Sequence, residues 1–504
     1  MGKKRIARVC ILLLFTMTLG ELSHRGGGFL GTWATPVLAE SLTGQQTLME
    51  KNYEEVSGAC SVILNSGTKE FFQGYPVDMS FLSWVRVNYG DAAINDIAYD
   101  LFEGNHDKEV WYTHTGNSIH VLWLKYCKAM NYSSKRLEGI VWKEDTKDYS
   151  TVIDIVGDIN FAEGWCTTEA MKNRPNGIKD CFSFGIIETL KNADITIANH
   201  EFALTDSDTI LKNKGFNFKA AISSVSLWQE LGVDILALAN NHVYDYCEEG
   251  LLDTIDTLRN NGYITIGAGN NIEEASYVQY YVVNGRKIAF VNASEIERTQ
   301  SLTQAADENT PGVFKCLDER HLLSVVKNAD KNADYVITYV HWGFEGYLNP
   351  DQRMKSLASE LVDAGADAII GGHPHRLQGV EFIEDVPVVY SLGNFWFSTG
   401  SLYTSIAEIE IDRTGKLQLR MIPCVQRDMT TMLLIDAKER ELFCQYLCDI
   451  STGIGMNPNG YVYNVKNENS ETIPYAYYSG AGYAVRNPNL DLDGKVIDTI
   501  GNRR

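Results

Sequence analysis

Two histidines flank a proline at His373-Pro374-His375, directly after Gly371-Gly372 and the apolar run Ala368-Ile369-Ile370. The run reads as a short buried strand that spills into a turn. The glycines let the backbone bend sharply and pass close to bulky neighbours. Pro374 fixes its own φ, so the two imidazoles are held at a set divergence. A His-x-His pair on the loop after a strand can serve two neighbouring metal ions, one ring each. Taken alone, it can also be a turn with two solvated histidines, so the argument depends on ligand-type residues in equivalent places.

Four more apolar stretches end in such residues. Residues 151–156 run into Gly157-Asp158-Ile159-Asn160, and 194–198 into Asn199-His200-Glu201. Residues 234–239 run into Asn240-Asn241-His242, and 335–340 into His341-Trp342-Gly343. In sheets with flanking helices, ligands gather beyond the carboxyl ends of the strands. Asp158, Glu201, Asn241, His341, His373 and His375 therefore make one ligand set. Carboxylate, amide and imidazole donors suit divalent Mn, Zn or Fe. Two ions sharing a carboxylate, from Glu201 or Asp158, can lower the pKa of a water between them and clamp an attacked phosphoryl or acyl oxygen. His242, beside the ions and not bound to them, is placed to protonate a leaving group. Each residue also has a structural reading. Asp158 can cap the next segment, Asn241 can be a turn residue, and His341 can be a packed core histidine. Asp154 lies inside the first strand, where a charge is costly unless paired. Arg353 and Arg376 are possible contacts to an anionic substrate, and Asn394 and His200 stand further from the pattern.

The elements that position these residues alternate. Helices are predicted at 79–89, 118–130, 223–231, 248–261, 318–328 and 352–364, with 93–102 less distinct. A strand is predicted at 263–266. Hairpins are predicted at 277–283 with 287–293, around Asn284-Gly285, at 380–383 with 386–392, and at 406–411 with 417–422. Strands alternating with helices define an α/β fold, and the hairpins add antiparallel strands.

The chain has 504 residues, enough for two or three domains. Residues 41–148 read as an accessory N-terminal region closed by the charged run 143–148. The alternating region covers 150–425, and 426–504 is a C-terminal extension rich in aromatic, Asn and Gly residues. Gly104-Asn105-His106-Asp107 imitates a metal-site motif, but no buried strand precedes it. Lys3, Lys4, Arg5 and Arg8 precede an apolar run from Val9 to Leu19, so residues 1–39 read as a signal peptide or an N-terminal anchor in contact with the membrane. With 44 Lys+Arg against 65 Asp+Glu, the net charge of −21 argues against a nucleic-acid partner. It also makes an anionic polymer an awkward ligand unless cations intervene. Cys166 with Cys181, or Cys444 with Cys448, can pair in an oxidising compartment, and buried free thiols are the alternative.

In this order, Val156-Gly-Asp158, Ala198-Asn-His-Glu201, Ala237-Leu-Ala-Asn-Asn-His-Val-Tyr-Asp-Tyr246, Gly267-Ala-Gly269, His341-Trp-Gly343, Gly371-Gly-His-Pro-His375 and Tyr390-Ser-Leu-Gly-Asn-Phe395 resemble the CapA family of poly-γ-glutamate capsule biosynthesis proteins. That family is similar to the calcineurin-like metallophosphoesterases. The resemblance implies layered sheets with flanking helices. It also implies a dinuclear site and a surface protein that handles an anionic capsule polymer or works with its synthesis machinery. The metallophosphoesterase Asp-x-His motif reads here Asp158-Ile159-Asn160, with Asn160 a weaker ligand than histidine. Glu201 is the nearest match to the bridging Asp. Asn241 matches a metal-bound Asn, and His242 a histidine that assists the leaving group. His341, His373 and His375 match the later ligands. Arg376 and Asn394 are the substrate-side residues this reading offers. The resemblance leaves open capsule export, phosphoester hydrolysis and a non-catalytic polymer-binding role.

Overall fold

The structure is a computed structural model, and it describes residues 58–65, 77–105, 107–132, 139–146, 149–298 and 302–466. The signal or anchor segment, His106 and the chain beyond 466 lie outside the described residues. The chain divides into two compact units, Met1–Glu138 and Gly139–Arg504.

In the first unit the described helices are Gly58–Asn65, Met79–Phe102, Val110–Thr115 and Ile119–Ala129. The two helical stretches predicted at 79–89 and 93–102 are one element kinked at Gly90, whose φ is 92°. Asp78 caps its start by accepting from the Phe81 amide, and Ser118 does the same for Val121. Phe81, Trp84, Ile97, Trp111, Leu122 and Tyr126 form this unit's own core. Among the described residues, no helix is long and apolar enough to cross a membrane.

The second unit holds two large sheets. Six strands carry the site: β1 Thr151–Ile159, β2 Ile195–His200, β3 Ile235–Ala237, β4 Tyr335–His341, β5 Ala368–Gly372 and β6 Asn394–Trp396. The first sheet has β1, β2, β3 and Ile264–Ile266 in parallel. Leu402–Ile411 and Leu417–Arg427 are added antiparallel on the other side of β1. β6 pairs in parallel with the end of β1, with Asn394 opposite Asp158. The second sheet runs Ile140–Trp142, Gln279–Val283, Arg286–Ser294, β4, β5, Val386–Val389 and Val380–Ile383. There His341 lies opposite Gly372.

Burial explains the layering. Side chains alternate across a strand. Ile153, Ile155, Ile195 and Ile197 of the first sheet share a core with Ile337, Tyr339 and Ile370 of the second. The outer face of the first sheet is covered by the helices Phe184–Asn192, Leu227–Leu231 and Cys247–Asn260, packing through Ile186, Trp228 and Leu251. The helices Glu319–Asp330 and Gln352–Asp363 cover the second through Leu322, Val326, Leu357 and Leu361. Each fully buried aliphatic side chain contributes about 1.5–3 kcal/mol. The unit is therefore a helix–sheet–sheet–helix sandwich, the α/β class expected from the sequence.

Two segments extend that unit past the sequence-based boundaries. Ile140–Trp142 pairs in parallel with Gln279–Val283. The charged run after it is tied down, with Lys143 paired to Asp234 at 2.7 Å and the Thr146 amide donating to Asn284 at 2.6 Å. After residue 425, Thr430–Leu433 joins the first sheet, and the helix Ala437–Asp449 buries Phe443 and Leu447 in the inter-sheet core. The described cysteines are free thiols, so neither Cys166–Cys181 nor Cys444–Cys448 is a disulfide.

Candidate metal centre

The carboxyl ends of both sheets converge. The first sheet brings Asp158 at the end of β1, Glu201 just past β2 and Asn241 past β3. The second brings His341 at the end of β4 and His373 and His375 past β5. Only glycine fits two of the backbone positions that allow this approach. A Cβ on Gly157 would collide with the Gly393 carbonyl. One on Gly372 would lie 2.6 Å from the Tyr339 hydroxyl and 2.9 Å from Asp158 Oδ1. His373 and His375 themselves adopt positive φ, 94° and 56°. Such conformations cost about 1–3 kcal/mol each and persist where the surroundings dictate them. The strand β5 and Pro374 provide that constraint here.

Two triads of ligand atoms result: Glu201, His341 and His373, and Asp158, Glu201 and His375, all buried. Glu201 belongs to both. Its Oε1 lies 3.5 Å from His341 Nε2 and 3.9 Å from His375 Nε2. His373 Nδ1 is 3.2 Å from His341 Nε2, and Asn241 Oδ1 is 2.8 Å from the same nitrogen. His375 Nδ1 lies 3.1 Å from Asp158 Oδ2. Among the described residues, Glu201 Oε1 and His375 Nε2 are buried without a hydrogen-bond partner. Buried polar atoms are normally satisfied, and orphaned donor atoms converging on one point are what a bound cation would satisfy. The hard carboxylate oxygens and borderline imidazoles fit divalent ions of the Mn, Zn or Fe kind. The residues present therefore fit a metal site.

The electrostatics agree with that fit. Burial pushes the His341 and His373 imidazoles well below the usual histidine range, and the neighbouring histidines add to it, so both are neutral donors. Burial, then the Asp158 charge, pushes the Glu201 carboxyl well above its ordinary value. At His375 burial opposes protonation, but the hydrogen bond and charge of Asp158 outweigh it and raise the pKa.

A ring of polar residues fixes the donors. Asn199 Nδ2 donates to Asp158 Oδ1 at 2.8 Å and to Glu201 Oε2 at 3.2 Å. Asn240 ties the next loop in place. Its Nδ2 donates to Asn199 Oδ1 and the His200 carbonyl, and its Oδ1 accepts from the His242 and Val243 amides. His242 Nδ1 lies 2.7 Å from Asp245 Oδ2. Asp245 in turn takes the Phe218 amide at 2.7 Å and Lys214 Nζ at 2.6 Å. Lys214 also donates to the Asn241 carbonyl. Burial lowers the His242 pKa, and the Asp245 charge works against that.

The remaining predicted residues take other places. Asn394 Oδ1 contacts His375 Nδ1 at 2.8 Å, so it orients a ligand histidine. Asn160 Oδ1 accepts from the Ala162 amide at 2.7 Å, a local turn. Arg376 is buried and hydrogen-bonds Tyr446. Arg353 pairs with Glu295 at 2.6 Å. His200 points to the opposite face of the sheet from Asn199 and Glu201. There it stacks on Phe202 at 3.9 Å, and burial pushes its pKa down to about 3. It is a core histidine. Asp154 is buried on β1, and among the described residues neither of its oxygens has a hydrogen-bond partner. Sequence reasoning missed Asn199, Lys214 and Asp245. Only Asp245 carried a readable signal, since three residues after His242 it falls on the same side of a helical turn.

A two-sheet sandwich with a carboxylate-and-imidazole centre at its strand ends defines a metallophosphoesterase-like α/β protein. Residues 152–399 match the family model described as bacterial capsule synthesis protein PGA_cap. The capsule biosynthesis protein CapA of Bacillus anthracis is 32% identical over 243 residues, which is 46% of this chain and 58% of that protein. The PGA biosynthesis protein CapA of Bacillus subtilis is 31% identical over 215 residues, covering 42% of this chain and 56% of that one. A probable polyglutamine synthesis accessory protein of Mycobacterium tuberculosis is 27% identical over 209 residues, covering 40% and 55%. The chain thus spans somewhat more than half the length of these relatives.

Proposed function

We propose that this chain acts at the cell surface in the synthesis or export of an anionic capsule polymer of the poly-γ-glutamate kind, and that its buried centre holds two divalent ions for hydrolytic or transfer chemistry. The observation that carries the chemical part is Glu201, one buried carboxylate with an unpartnered oxygen within reach of two ligand triads. The biological part rests on the family match over residues 152–399 and on the capsule and polyglutamate roles named for the relatives. The basic-then-apolar N-terminal stretch supports the location.

Glu201, His341 and His373, with Asn241, would hold one ion, and Asp158, Glu201 and His375 the other. Bound there, the pair supplies Lewis acidity for attack on a phosphoryl or acyl centre. The chain's own residues do the rest. Asn199 keeps the two carboxylates in fixed orientation. Asp245 holds the His242 ring by Nδ1 and offsets the charge of an imidazolium, so Nε2 is left to take a proton from the attacking water and hand it to a departing group. Phe218 and Phe397 pack against His242 and His375 at 4.6 and 4.4 Å between ring centroids and exclude water from their flanks.

The test combines elemental analysis with turnover of aryl phosphate esters and of γ-glutamyl oligomers. The wild type should carry about two divalent ions per chain. His242→Ala should retain them and lose about 10²–10⁴-fold in rate. A wild type that takes up no stoichiometric ion after reconstitution overturns the metal centre and leaves a binding or export role for the fold.

A further inference from the structure

The loop that follows β4 carries a carboxylate that none of the contacts above uses. Glu345 is half-buried between Phe344 and Tyr347, which are 48% and 63% exposed. The loop is pinned. The Gly346 amide donates to the Pro374 carbonyl, between the two ligand histidines, at 2.8 Å, and Gln378 Nε2 donates to the Tyr347 carbonyl at 2.9 Å. A Cβ on Gly343 would lie 2.8 Å from Met354 Sδ and 3.3 Å from Pro374 Cγ, so the loop's entry is also closely packed. Glu345 is thus held next to the His373-Pro374-His375 turn. Its charge acts on Glu201, on His375 and on His242, which belong to both triads and to the proposed proton donor.

Among the described residues Glu345 makes no hydrogen bond or ion pair, although cations stand near. Arg298 lies over the Phe344 ring at 4.9 Å but is paired with Glu295 at 2.6 Å and with Asp351. Lys214 is taken by Asp245. Arg298 and Lys214 are therefore matched by other carboxylates, and the Glu345 charge is left beside the turn that carries His373 and His375. A fixed, uncompensated carboxylate there disfavours a purely anionic group and favours a protonated amine.

On the proposed function above, we propose that Glu345 recognises a protonated amine on the substrate next to the reacting group. What enters the centre is then the amino end of an amino-acid polymer, or an amine-bearing phosphoryl group, and not the polymer's run of side carboxylates. The cation forms an ion pair with Glu345 while the adjacent anionic or polarised oxygen faces the ligand set. The Phe344 ring already carries Arg298, and Tyr347, 63% exposed and packed on Phe344 at 5.7 Å between ring centroids, offers the aromatic surface for the cation to rest against.

The test measures binding by calorimetry to the metal-loaded full chain, with two probe pairs: phosphoethanolamine against methyl phosphate, and γ-linked triglutamate with a free against an acetylated amino end. The wild type should bind the amine-bearing member of at least one pair about fivefold more tightly. Glu345→Gln should abolish that preference with metal content unchanged. Preference in the phosphate pair alone identifies an amine-bearing phosphoryl group, and preference in the glutamyl pair alone identifies the polymer end. Equal affinities in the wild type, a preference that survives in Glu345→Gln, or loss of an ion in that variant each overturns the proposal, the last by making Glu345 a ligand. A wild type that takes up no ions refutes the centre itself, whereas a metal-loaded wild type without amine preference refutes only the role of Glu345.

Discussion

Replacing Glu201 by glutamine tests whether one carboxylate serves both halves of the centre. Glu201 is fully buried, and its Oε1 stands 3.5 Å from one triad's imidazole nitrogen and 3.9 Å from the other's. If it is shared, Glu201→Gln removes both ions, while His373→Ala removes the first and His375→Ala the second. An ion that binds only the folded chain stabilises it by about 2.7 kcal/mol when present at 100 times its Kd. Metal-loaded Glu201→Gln should therefore lose about 5 kcal/mol relative to wild type, and each histidine variant roughly half of that. In chelator the order should reverse for Glu201→Gln. Burial and the neighbouring Asp158 make the Glu201 charge unfavourable in the metal-free fold. The neutral amide fills the same space with no charge to desolvate, so metal-free Glu201→Gln should be the more stable protein. Denaturant unfolding with and without Mn²⁺ or Zn²⁺, beside elemental analysis, reads both signs. A variant that keeps one ion, or that is destabilised equally in chelator and metal, refutes the shared-ligand reasoning.

Two further outcomes follow from the same geometry. Burial, then the Glu408 charge, raises the Asp154 carboxyl well above 3.8 in the folded chain, against the opposing pull of Arg420. Its contribution to stability is therefore present below 3.8 and lost as pH rises through the higher folded value. Asp154→Asn should be more stable than wild type at neutral pH by about 1–3 kcal/mol, with the gain vanishing in acid, and equal denaturant midpoints at neutral pH would count against it. Asp245→Asn should leave metal content intact and lower turnover about 10- to 100-fold by releasing the His242 ring, whereas an unchanged rate would remove Asp245 from the positioning of the acid.

The convergence of the candidate ligands was legible because its signal is local. Each of Asp158, Glu201, Asn241, His341 and His373 sits at the end of an apolar run, and parallel strands bring such ends to one edge. The run lengths also predict the strands well, although they stop short at β1, which continues through Ile159, and at the hairpin strand that reaches Arg427. His200 was less separable. It lies between Asn199 and Glu201, and only the alternation of a strand sends its ring into the aromatic cluster while its two neighbours face the centre. Asn394 reads as a substrate contact because nothing in the sequence reveals that β6 crosses back beside Asp158 and sets its amide against His375. The charged run 143–148 looks like a linker because its partners, Asp234 and Asn284, lie far along the chain.

What stayed illegible is the part that makes a binding site specific. Lys214 comes from a segment with no periodic signature, yet it joins Asp245 and the Asn241 carbonyl at the back of the centre. Glu345 is one of 65 acidic residues. Nothing in its own neighbourhood of sequence separates it from a solvated loop charge. Its meaning comes from the Gly346–Pro374 hydrogen bond, which fastens its loop to a turn nearly thirty residues later. The acidity of the chain as a whole points away from an anionic ligand, and cations bound in the centre would remove that objection only locally. A carboxylate beside the His373-Pro374-His375 turn would retain it there, so the two charges together would select for a substrate that is anionic at the reacting group and cationic beside it. An amino-acid polymer has that pattern at one of its ends only.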